Sequence, residues 1–303
     1  MNILVLGSEG FIGQTIANYF YNKGYKVYGC DLVQTTRNKY DYVQVSGGLV
    51  NIERLLQLHS MDFVINAAGT ASVYQSFNDP WSDFNSNMIF IYAVLNALRR
   101  YSAHTKFIFL SSAAVYGNPL RLPVTETDPL NPISPYGFHK LQAELVAREF
   151  YDCFGIISIV LRIFSCYGIG QRKLFLWDLC VKALAQKKVL LKGCGNESRD
   201  FIHVIDVAVC MDHLIEQNVD GFEVFNLASG KEYSIRDTAT LLIDKLGSNN
   251  EIFFEGTKNT GNPDNWAADI SKLTKLGYQP SISFESGIEA YANWFKSLEH
   301  VQE

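Results

Sequence analysis

Residues 3–13 are Ile-Leu-Val-Leu-Gly-Ser-Glu-Gly-Phe-Ile-Gly, an apolar run that leads directly into a glycine-rich turn. Four aliphatic residues in succession, at positions 3–6, are typical of a parallel strand that is buried on both faces. Apolar residues then recur every four positions from Ile12 to Phe20, which predicts a helix with one apolar face. A second strand is predicted for residues 26–30, and it ends at Asp31.

This strand, turn, helix and strand together predict a dinucleotide-binding site. Glycines let the backbone approach a pyrophosphate, whose negative charge is stabilised by free N–H groups at a helix N-terminus. An acid about 20 residues beyond such a turn can accept hydrogen bonds from the adenosine ribose. The glycine spacing differs from G-x-G-x-x-G, so the prediction depends on the whole unit. The predicted contacts in this unit are Gly7, Gly10, Phe11, Ile12, Gly13 and Asp31.

The composition limits the classes of function. The chain has 303 residues, 19% of them charged and 48% hydrophobic, as expected for a soluble enzyme. A net charge of −5 without a basic run argues against nucleic acid as a partner. No signal-peptide pattern and no apolar run of ~18 residues are present, which predicts a cytoplasmic protein without a membrane partner. The six cysteines form no C-x-x-C pair, so no metal site is predicted.

Strand and helix patterns alternate over about 230 residues, which predicts an α/β fold with a Rossmann-type doubly wound parallel sheet. We expect a dinucleotide-binding domain at residues 1–169 and a smaller α/β substrate lobe at residues 170–303, with strands between about 200 and 230 free to return to the main sheet. A predicted strand at residues 62–66 runs into small residues that let a ligand approach the backbone. Asp79-Pro80 begins a helix predicted to continue to about residue 100. The small residues are Ala67, Ala68 and Gly69.

Tyr136 and Lys140 lie four residues apart on a helix that Ser134 and Pro135 are expected to begin. This spacing places both side chains on one face of the helix. An ammonium group beside a phenol stabilises the phenolate and is expected to lower the tyrosine pKa, so Tyr136 can act as a general base. Ser112 ends a predicted strand at the carboxyl edge of the sheet, where its hydroxyl can bridge a substrate oxygen and Tyr136. These three residues are the predicted catalytic group.

Further motifs follow in a fixed order along nearly the whole chain. They are Leu161-Arg162-Ile163-Phe164, Ser198-Arg199-Asp200-Phe201-Ile202-His203-Val204 and Phe225-Asn226-Leu227-Ala228-Ser229-Gly230. With the glycine turn, Asp31, Ser112 and the Tyr136–Lys140 pair, the sequence resembles the extended short-chain dehydrogenases/reductases, in the NAD-dependent sugar-nucleotide epimerase/dehydratase family.

The resemblance implies a bound NAD and a nucleoside diphosphate-sugar held between the two lobes. It implies oxidation at the sugar C4, with Tyr136 as the base and Lys140 also holding the nicotinamide ribose. It further implies a homodimer formed by the helices near residues 80–100 and 135–150. The substrate contacts that it suggests are Ser112, Ser165, Arg172 and Arg199.

Two positions after Ser112 bear on the type of reaction. Dehydratases of this family usually carry an Asp-Glu pair there, whereas this chain has Ala113 and Ala114, which cannot transfer protons. The loop therefore resembles that of the 4-epimerases, while an NAD(P)-dependent 4-ketosugar reductase stays open as the alternative. Asp31 would repel a 2′-phosphate and favours NAD over NADP, although the nearby Arg37 leaves NADP open.

Overall fold

Strands and helices alternate along the chain in a computed structural model that describes residues 1–35, 39–45, 50–257 and 261–299. The strands in these ranges are β1 (Asn2–Leu6), β2 (Lys26–Asp31), β3 (Asp41–Gln44), β4 (Phe63–Asn66), β5 (Lys106–Ser112), β6 (Ser158–Ile163), β7 (Ser165–Tyr167), β8 (Lys188–Leu191), β9 (Ser198–His203), β10 (Phe222–Leu227), β11 (Glu232–Ser234) and β12 (Glu251–Phe254). The helices are α1 (Phe11–Asn22), α2 (Val50–Leu58), α3 (Val73–Asn78), α4 (Pro80–Phe84), α5 (Phe90–Tyr101), α6 (Pro135–Phe154), α7 (Leu174–Ala185), α8 (Val204–Glu216), α9 (Ile235–Leu246), α10 (Ser271–Lys275) and α11 (Phe284–Glu299). None of these helices is long and apolar enough to cross a bilayer.

The first apolar run forms an interior strand of the main sheet. Seven of the described strands pair in parallel in the order β10-β6-β5-β4-β1-β2-β3. Ile3 and Val5 of β1 pack into one apolar cluster with residues of α1 and α8, whereas Leu4 and Leu6 pack into another with residues of α2, α5 and α6. Helices therefore cover both faces of β1, and the predicted Rossmann-type α/β fold is confirmed.

The later elements build two smaller sheets, β11-β9-β7 and β12-β8. Helices α7, α9 and α11 contribute to an apolar cluster that belongs to these elements. Strand β10 does not join them but pairs in parallel with β6 at the edge of the main sheet. The division near residue 170 stays a prediction, and the chain returns to the main sheet after it at β10.

The helix expected from Asp79 to about residue 100 is present as continuous helical backbone from Pro80 to Tyr101, with a π-helical turn inside it. The Asp79 carboxylate accepts a hydrogen bond from Ser82 N at 2.9 Å and caps α4, while a π-helical turn, Asn85–Ile89, separates α4 from α5. A π turn adds one residue to the helical turn and changes the direction of the side chains. Here Asn87 donates a hydrogen bond from Nδ2 to the Thr70 carbonyl at 3.2 Å, so the turn contacts the loop after β4.

Candidate active site

The glycine turn brings β1, the loop after β4 and α1 closer together than side chains would permit. Gly7 has a φ of +79°, and a Cβ at this position would lie 2.6 Å from Ala68 N. A Cβ at Gly13 would lie 2.0 Å from the Gly7 carbonyl oxygen. The first turn of α1 has neither an acidic residue nor a side-chain cap, so the N–H groups of Phe11 and Ile12 have no partner within the helix. The N-terminus of α1 is therefore suited to an anionic ligand.

Asp31 lies at the end of β2, beside this turn. Its Oδ2 accepts a hydrogen bond from Glu9 N at 2.9 Å, and its Oδ1 accepts one from Leu32 N at 2.6 Å. Gly10, the residue before α1, donates from its backbone N to the Gly7 carbonyl at 3.1 Å. In the described part of the chain, Glu9 Oε1 is buried without a hydrogen-bond partner. The hydrogen bonds from Glu9 N and Leu32 N hold the Asp31 carboxylate beside the glycine turn.

The loop after β4 lies beside the glycine turn, and together with the end of β2 these segments form the predicted dinucleotide cleft at the carboxyl ends of the strands. Ala67 donates from its backbone N to the Leu6 carbonyl at 2.9 Å, which keeps the ends of β1 and β4 side by side. Ala67 and Ala68 are half-buried and Gly69 is exposed. Ligands of open parallel sheets bind in a crevice at such strand ends. The small side chains, the free helix N-terminus and the Asp31 carboxylate together fit a dinucleotide such as NAD.

Ser112, Tyr136 and Lys140 are brought together at the carboxyl end of β5. Ser112 Oγ accepts a hydrogen bond from Ala114 N at 3.1 Å, which leaves its hydroxyl proton free to donate. The N-cap Ser134 accepts from Gly137 N at 3.1 Å and fixes the start of α6. Tyr136 and Lys140 of α6 are only 7% and 5% exposed. Hydrogen bonding by Ser112 favours the phenolate of Tyr136.

The electrostatics of this group differ from the expectation. Burial and, to a smaller extent, the charge of Asp83 raise the pKa of Tyr136 to about 12, against the opposing effect of Ser112. Burial lowers the pKa of Lys140 to about 8, against the effect of Asp83 and Glu144. Lys140 Nζ donates to the Leu110 carbonyl at 2.9 Å and lies 5.8 Å from the centre of the Tyr136 ring. The expected lowering of the Tyr136 pKa is therefore wrong for the chain alone, because burial dominates.

Arg199 lies next to the apolar cluster that contains Tyr136. Its guanidinium is 5.4 Å from the centre of the Trp266 ring and donates to the Asp264 carbonyl at 3.2 Å. Trp266 belongs to the same apolar cluster as Tyr136. Burial lowers the pKa of Arg199 to about 10, so a bound anion would compensate an unfavourable buried charge.

The two remaining predicted substrate residues lie near β7. Ser165 is its first residue, is half-buried and pairs with Phe201 of β9. Arg172 is exposed, and its guanidinium lies 5.9 Å from the centre of the Trp294 ring on α11. Trp294 packs on the cluster formed by the later elements. Arg199 thus packs on the cluster that contains Tyr136, whereas Arg172 packs on the C-terminal core.

A buried polar network next to Tyr136 was not predicted from the sequence. Asp83 is 3% exposed, and its Oδ1 accepts hydrogen bonds from Thr70 Oγ at 2.5 Å and Asn87 Nδ2 at 3.2 Å. Its Oδ2 lies 2.6 Å from Nδ1 of His139. The available signals were the spacing of four between Asp83 and Asn87 and the position of His139 three residues after Tyr136. Neither spacing belongs to a sequence motif that is typical of a particular function.

The chemistry available at the site is proton transfer beside a dinucleotide cleft. Within the described ranges, no group of three or more His, Cys, Asp or Glu side chains could hold a metal ion. Tyr136 can exchange a proton with a substrate hydroxyl, Ser112 can hydrogen bond to the same oxygen, and Lys140 can supply positive charge.

Comparison with known proteins relates this site to a family. The model of the NAD dependent epimerase/dehydratase family matches residues 3–228. A putative UDP-glucose 4-epimerase of Methanocaldococcus jannaschii is 29% identical over 309 residues, covering 97% of this chain and 98% of that protein. The structure of the Thermotoga maritima UDP-glucose 4-epimerase with UDP-glucose matches with a TM-score of 0.90 at 27% identity, over 99% of this chain and 100% of that one. The UDP-glucuronic acid 4-epimerase of Bacillus cereus, in complex with UDP-glucuronic acid and NAD, matches with a TM-score of 0.89 at 28% identity, over 98% of this chain and 100% of that one. The chain belongs to the NAD-dependent epimerase/dehydratase family, and the extended short-chain dehydrogenase/reductase type predicted from its motifs is confirmed.

Proposed function

We propose that this protein is an NAD-dependent 4-epimerase of a nucleoside diphosphate-sugar. The observation that carries the proposal is the end of β5, where Ser112, Tyr136 and Lys140 converge beside two alanines. Ala113 and Ala114 are 0% and 6% exposed and pack in the same apolar cluster as Tyr136. They occupy the positions at which a dehydratase would need an acid and a base, so the site supports oxidation and reduction at C4 without elimination of water.

The residues that would hold the cofactor are those of the dinucleotide cleft. The glycine turn and the N-terminus of α1 would bind the pyrophosphate, Asp31 the adenosine ribose, and Lys140 the nicotinamide ribose. The Asp31 carboxylate supports NAD over NADP because it would repel a 2′-phosphate; Arg37 lies outside the described residues. When bound, NAD supplies a hydride acceptor that can return the hydride, together with a positive charge next to Tyr136.

Tyr136 would take the proton of the sugar C4 hydroxyl while Ser112 hydrogen bonds to the same oxygen. Tyr136 accepts this proton in its phenolate form, which the Lys140 ammonium would stabilise beforehand, and the transfer leaves a neutral phenol. After the 4-keto sugar has turned its other face to the cofactor cleft, Tyr136 would return the proton to the C4 oxygen. Because burial raises the pKa of Tyr136 to about 12, positive charge at the filled site is needed for efficient proton removal near neutral pH.

For the substrate, Arg199 supports a diphosphate, since its buried guanidinium lies beside the Tyr136 cluster. Ser165 and Arg172 stay predicted contacts, with Ser165 on the neighbouring strand β7. The two solved 4-epimerases above contain UDP-glucose and UDP-glucuronic acid, which makes UDP-sugars the first substrates to test.

The test is a Tyr136→Phe substitution assayed with UDP-sugars and no added cofactor. We expect the wild-type protein to release bound NAD on denaturation and to form the 4-epimer, and the variant to lose turnover by about 100- to 10,000-fold. Tyr151→Phe on the same helix is the matched control and should keep full activity. Full activity of Tyr136→Phe would remove the proposed base. A strict requirement for stoichiometric NADPH would replace the epimerase by the 4-ketosugar reductase.

A further inference from the structure

The carboxylate of Asp83 is buried beside the proposed catalytic pair without belonging to it. Its hydrogen bonds join three segments: the loop after β4 through Thr70, the π turn through Asn87, and α6 through His139. His139 lies between Tyr136 and Lys140 in the sequence. The network therefore fixes the helical turn that carries both side chains.

We propose that Asp83 is a positioning residue for Tyr136 and Lys140. It holds the first turns of α6 against the loop after β4, and it keeps a buried negative charge beside both side chains. The inference rests on the proposed function, because it assigns Asp83 a part in the same reaction.

Asp83 has no lysine or arginine partner among the described residues, unlike the other carboxylate near Lys140. Glu144 accepts hydrogen bonds from two nitrogens of Arg162, the closer at 2.8 Å. Asp83 instead has two neutral donors and a histidine that is 13% exposed. Among the effects that oppose burial at Lys140, Asp83 is the largest. The carboxylate thus helps the buried amine to keep its proton.

Asp83 raises the pKa of both Tyr136 and Lys140, so removing its charge should lower both. Tyr136 and Lys140 titrate as a coupled pair, so the pH dependence of turnover reports pKa values of the pair. If both pKa values fall, the whole pH profile moves to lower pH, whether it reflects the proton of Tyr136 or that of Lys140. A purely structural role would reduce activity without a shift in this direction. The described residues also place three other ionisable groups around the pair: Glu144, which acts on Lys140, Arg162, which pairs with Glu144, and His139, which contacts Asp83.

The first readout is the pH dependence of turnover in Asp83→Asn, which keeps the shape of the side chain and removes its charge. We expect the profile to move to lower pH by on the order of one unit. Asp152→Asn is the matched control, because Asp152 lies on α6 but is exposed and contacts Arg148 at 2.6 Å. It should leave the profile unchanged. Profiles of Asp83→Asn and wild type that superimpose would overturn the proposal.

The second readout does not require turnover. Amines react with acetic anhydride only when they are unprotonated, so the labelling of Lys140, followed by mass spectrometry over a pH series, reports its protonation. Asp83→Asn should make Lys140 reactive at lower pH, and equal labelling of the two proteins would contradict the proposal. If no sugar nucleotide is turned over, the proposed function fails while this measurement still decides the role of Asp83.

Two further variants keep the proposal testable if Asp83→Asn does not fold. Asp83→Glu keeps the charge and displaces it, so we expect a lower kcat with an unshifted profile. His139→Ala removes one hydrogen-bond partner and lets water reach Oδ2, so we expect a smaller shift to lower pH in both readouts. An unshifted profile and unshifted labelling in His139→Ala would also count against the proposal.

Discussion

Lys140 and Arg162 are two buried cations in the same part of the molecule, and their surroundings differ. Arg162 is 4% exposed and hydrogen bonds to both oxygens of Glu144, to the Tyr116 hydroxyl and to the Glu126 carbonyl. Lys140 is 5% exposed, and the described residues give its ammonium group one hydrogen bond, to the Leu110 carbonyl. Glu144 and Lys140 lie one turn apart on α6, so the same helix serves both cations.

The difference separates a cation with a structural role, Arg162, from the proposed catalytic one, Lys140. Although burial opposes it, the interactions with Glu144 and Tyr116 raise the pKa of Arg162. Burial instead lowers the pKa of Lys140 to about 8. A buried charge with complete hydrogen bonding holds elements together, and here it joins β6 to α6 and to the 3-10 turn Ala113–Tyr116. A buried charge with few partners is unfavourable for stability and is typical of a catalytic or ligand-binding site.

The largest effect should come from breaking the paired cation. In Glu144→Gln the guanidinium of Arg162 stays buried while its charged partner is gone. Removing one partner of a buried ion pair costs about 3–5 kcal/mol of unfolding free energy. Chemical denaturation of the variant and the wild type measures this loss.

A double variant is the control for that measurement. Glu144→Gln combined with Arg162→Met removes both charges, and most of the lost stability should return, because apolar replacement of a buried pair is often neutral. A loss in Glu144→Gln below about 1 kcal/mol, the range of exposed pairs, would contradict the structural role of Arg162.

Lys140→Met should lower activity and increase stability, whereas Glu144→Gln should decrease stability. We expect kcat to fall by about 100- to 10,000-fold, since the proposed phenolate loses its neighbouring charge. The unfolding free energy should rise, because methionine occupies similar space without an ammonium group to desolvate. A clear loss of stability would show that Lys140 is structural like Arg162.

The gain from Lys140→Met should depend on pH. The folded pKa of about 8 lies below the ordinary value of 10.5, so between these values the unfolded wild type binds more protons at this site than the folded form. Wild-type stability from this group therefore rises with pH through that window. At about 1.4 kcal/mol per pKa unit, the advantage of the variant should be roughly 3 kcal/mol below pH 8 and should vanish near pH 10.5. Denaturation at a series of pH values compares the two proteins.

Local patterns predicted the dinucleotide half of the molecule because the signals are close in sequence. The glycine turn is defined by neighbours along the chain, and the apolar periodicity of residues 3–20 fixes β1 and α1. Three short strands, β7, β11 and β12, were not predicted. Each has only three or four residues, and each forms because a partner distant in sequence supplies its hydrogen bonds.

The sequence predicted a catalytic role for Lys140, but it could not show that Arg162 is buried with many partners and Lys140 with few. Both positions belong to motifs of the resemblance, Arg162 in Leu-Arg-Ile-Phe and Lys140 in the Tyr-x-x-x-Lys pair. What separates them is the partners supplied by Tyr116, Glu126 and Glu144, which are 18 to 46 residues away along the chain. The Asp83–His139 contact, across 56 residues, was missed for the same reason. Its members become neighbours only when α4 packs against α6.

The smallest effect should come from trimming the hydrogen bonds of the paired cation. Tyr116 is 1% exposed, and its hydroxyl accepts from Arg162 Nη1 at 2.9 Å and donates to Asn226 Oδ1 at 2.6 Å. Tyr116→Phe removes both contacts, but Nη1 keeps its bond to the Glu126 carbonyl and Glu144 still balances the charge. We therefore expect a loss of about 1–2 kcal/mol in denaturant unfolding, with kcat unchanged. A large fall in kcat at unchanged stability would instead place Tyr116 and Arg162 in the catalytic group, and the separation between the two buried cations would no longer hold.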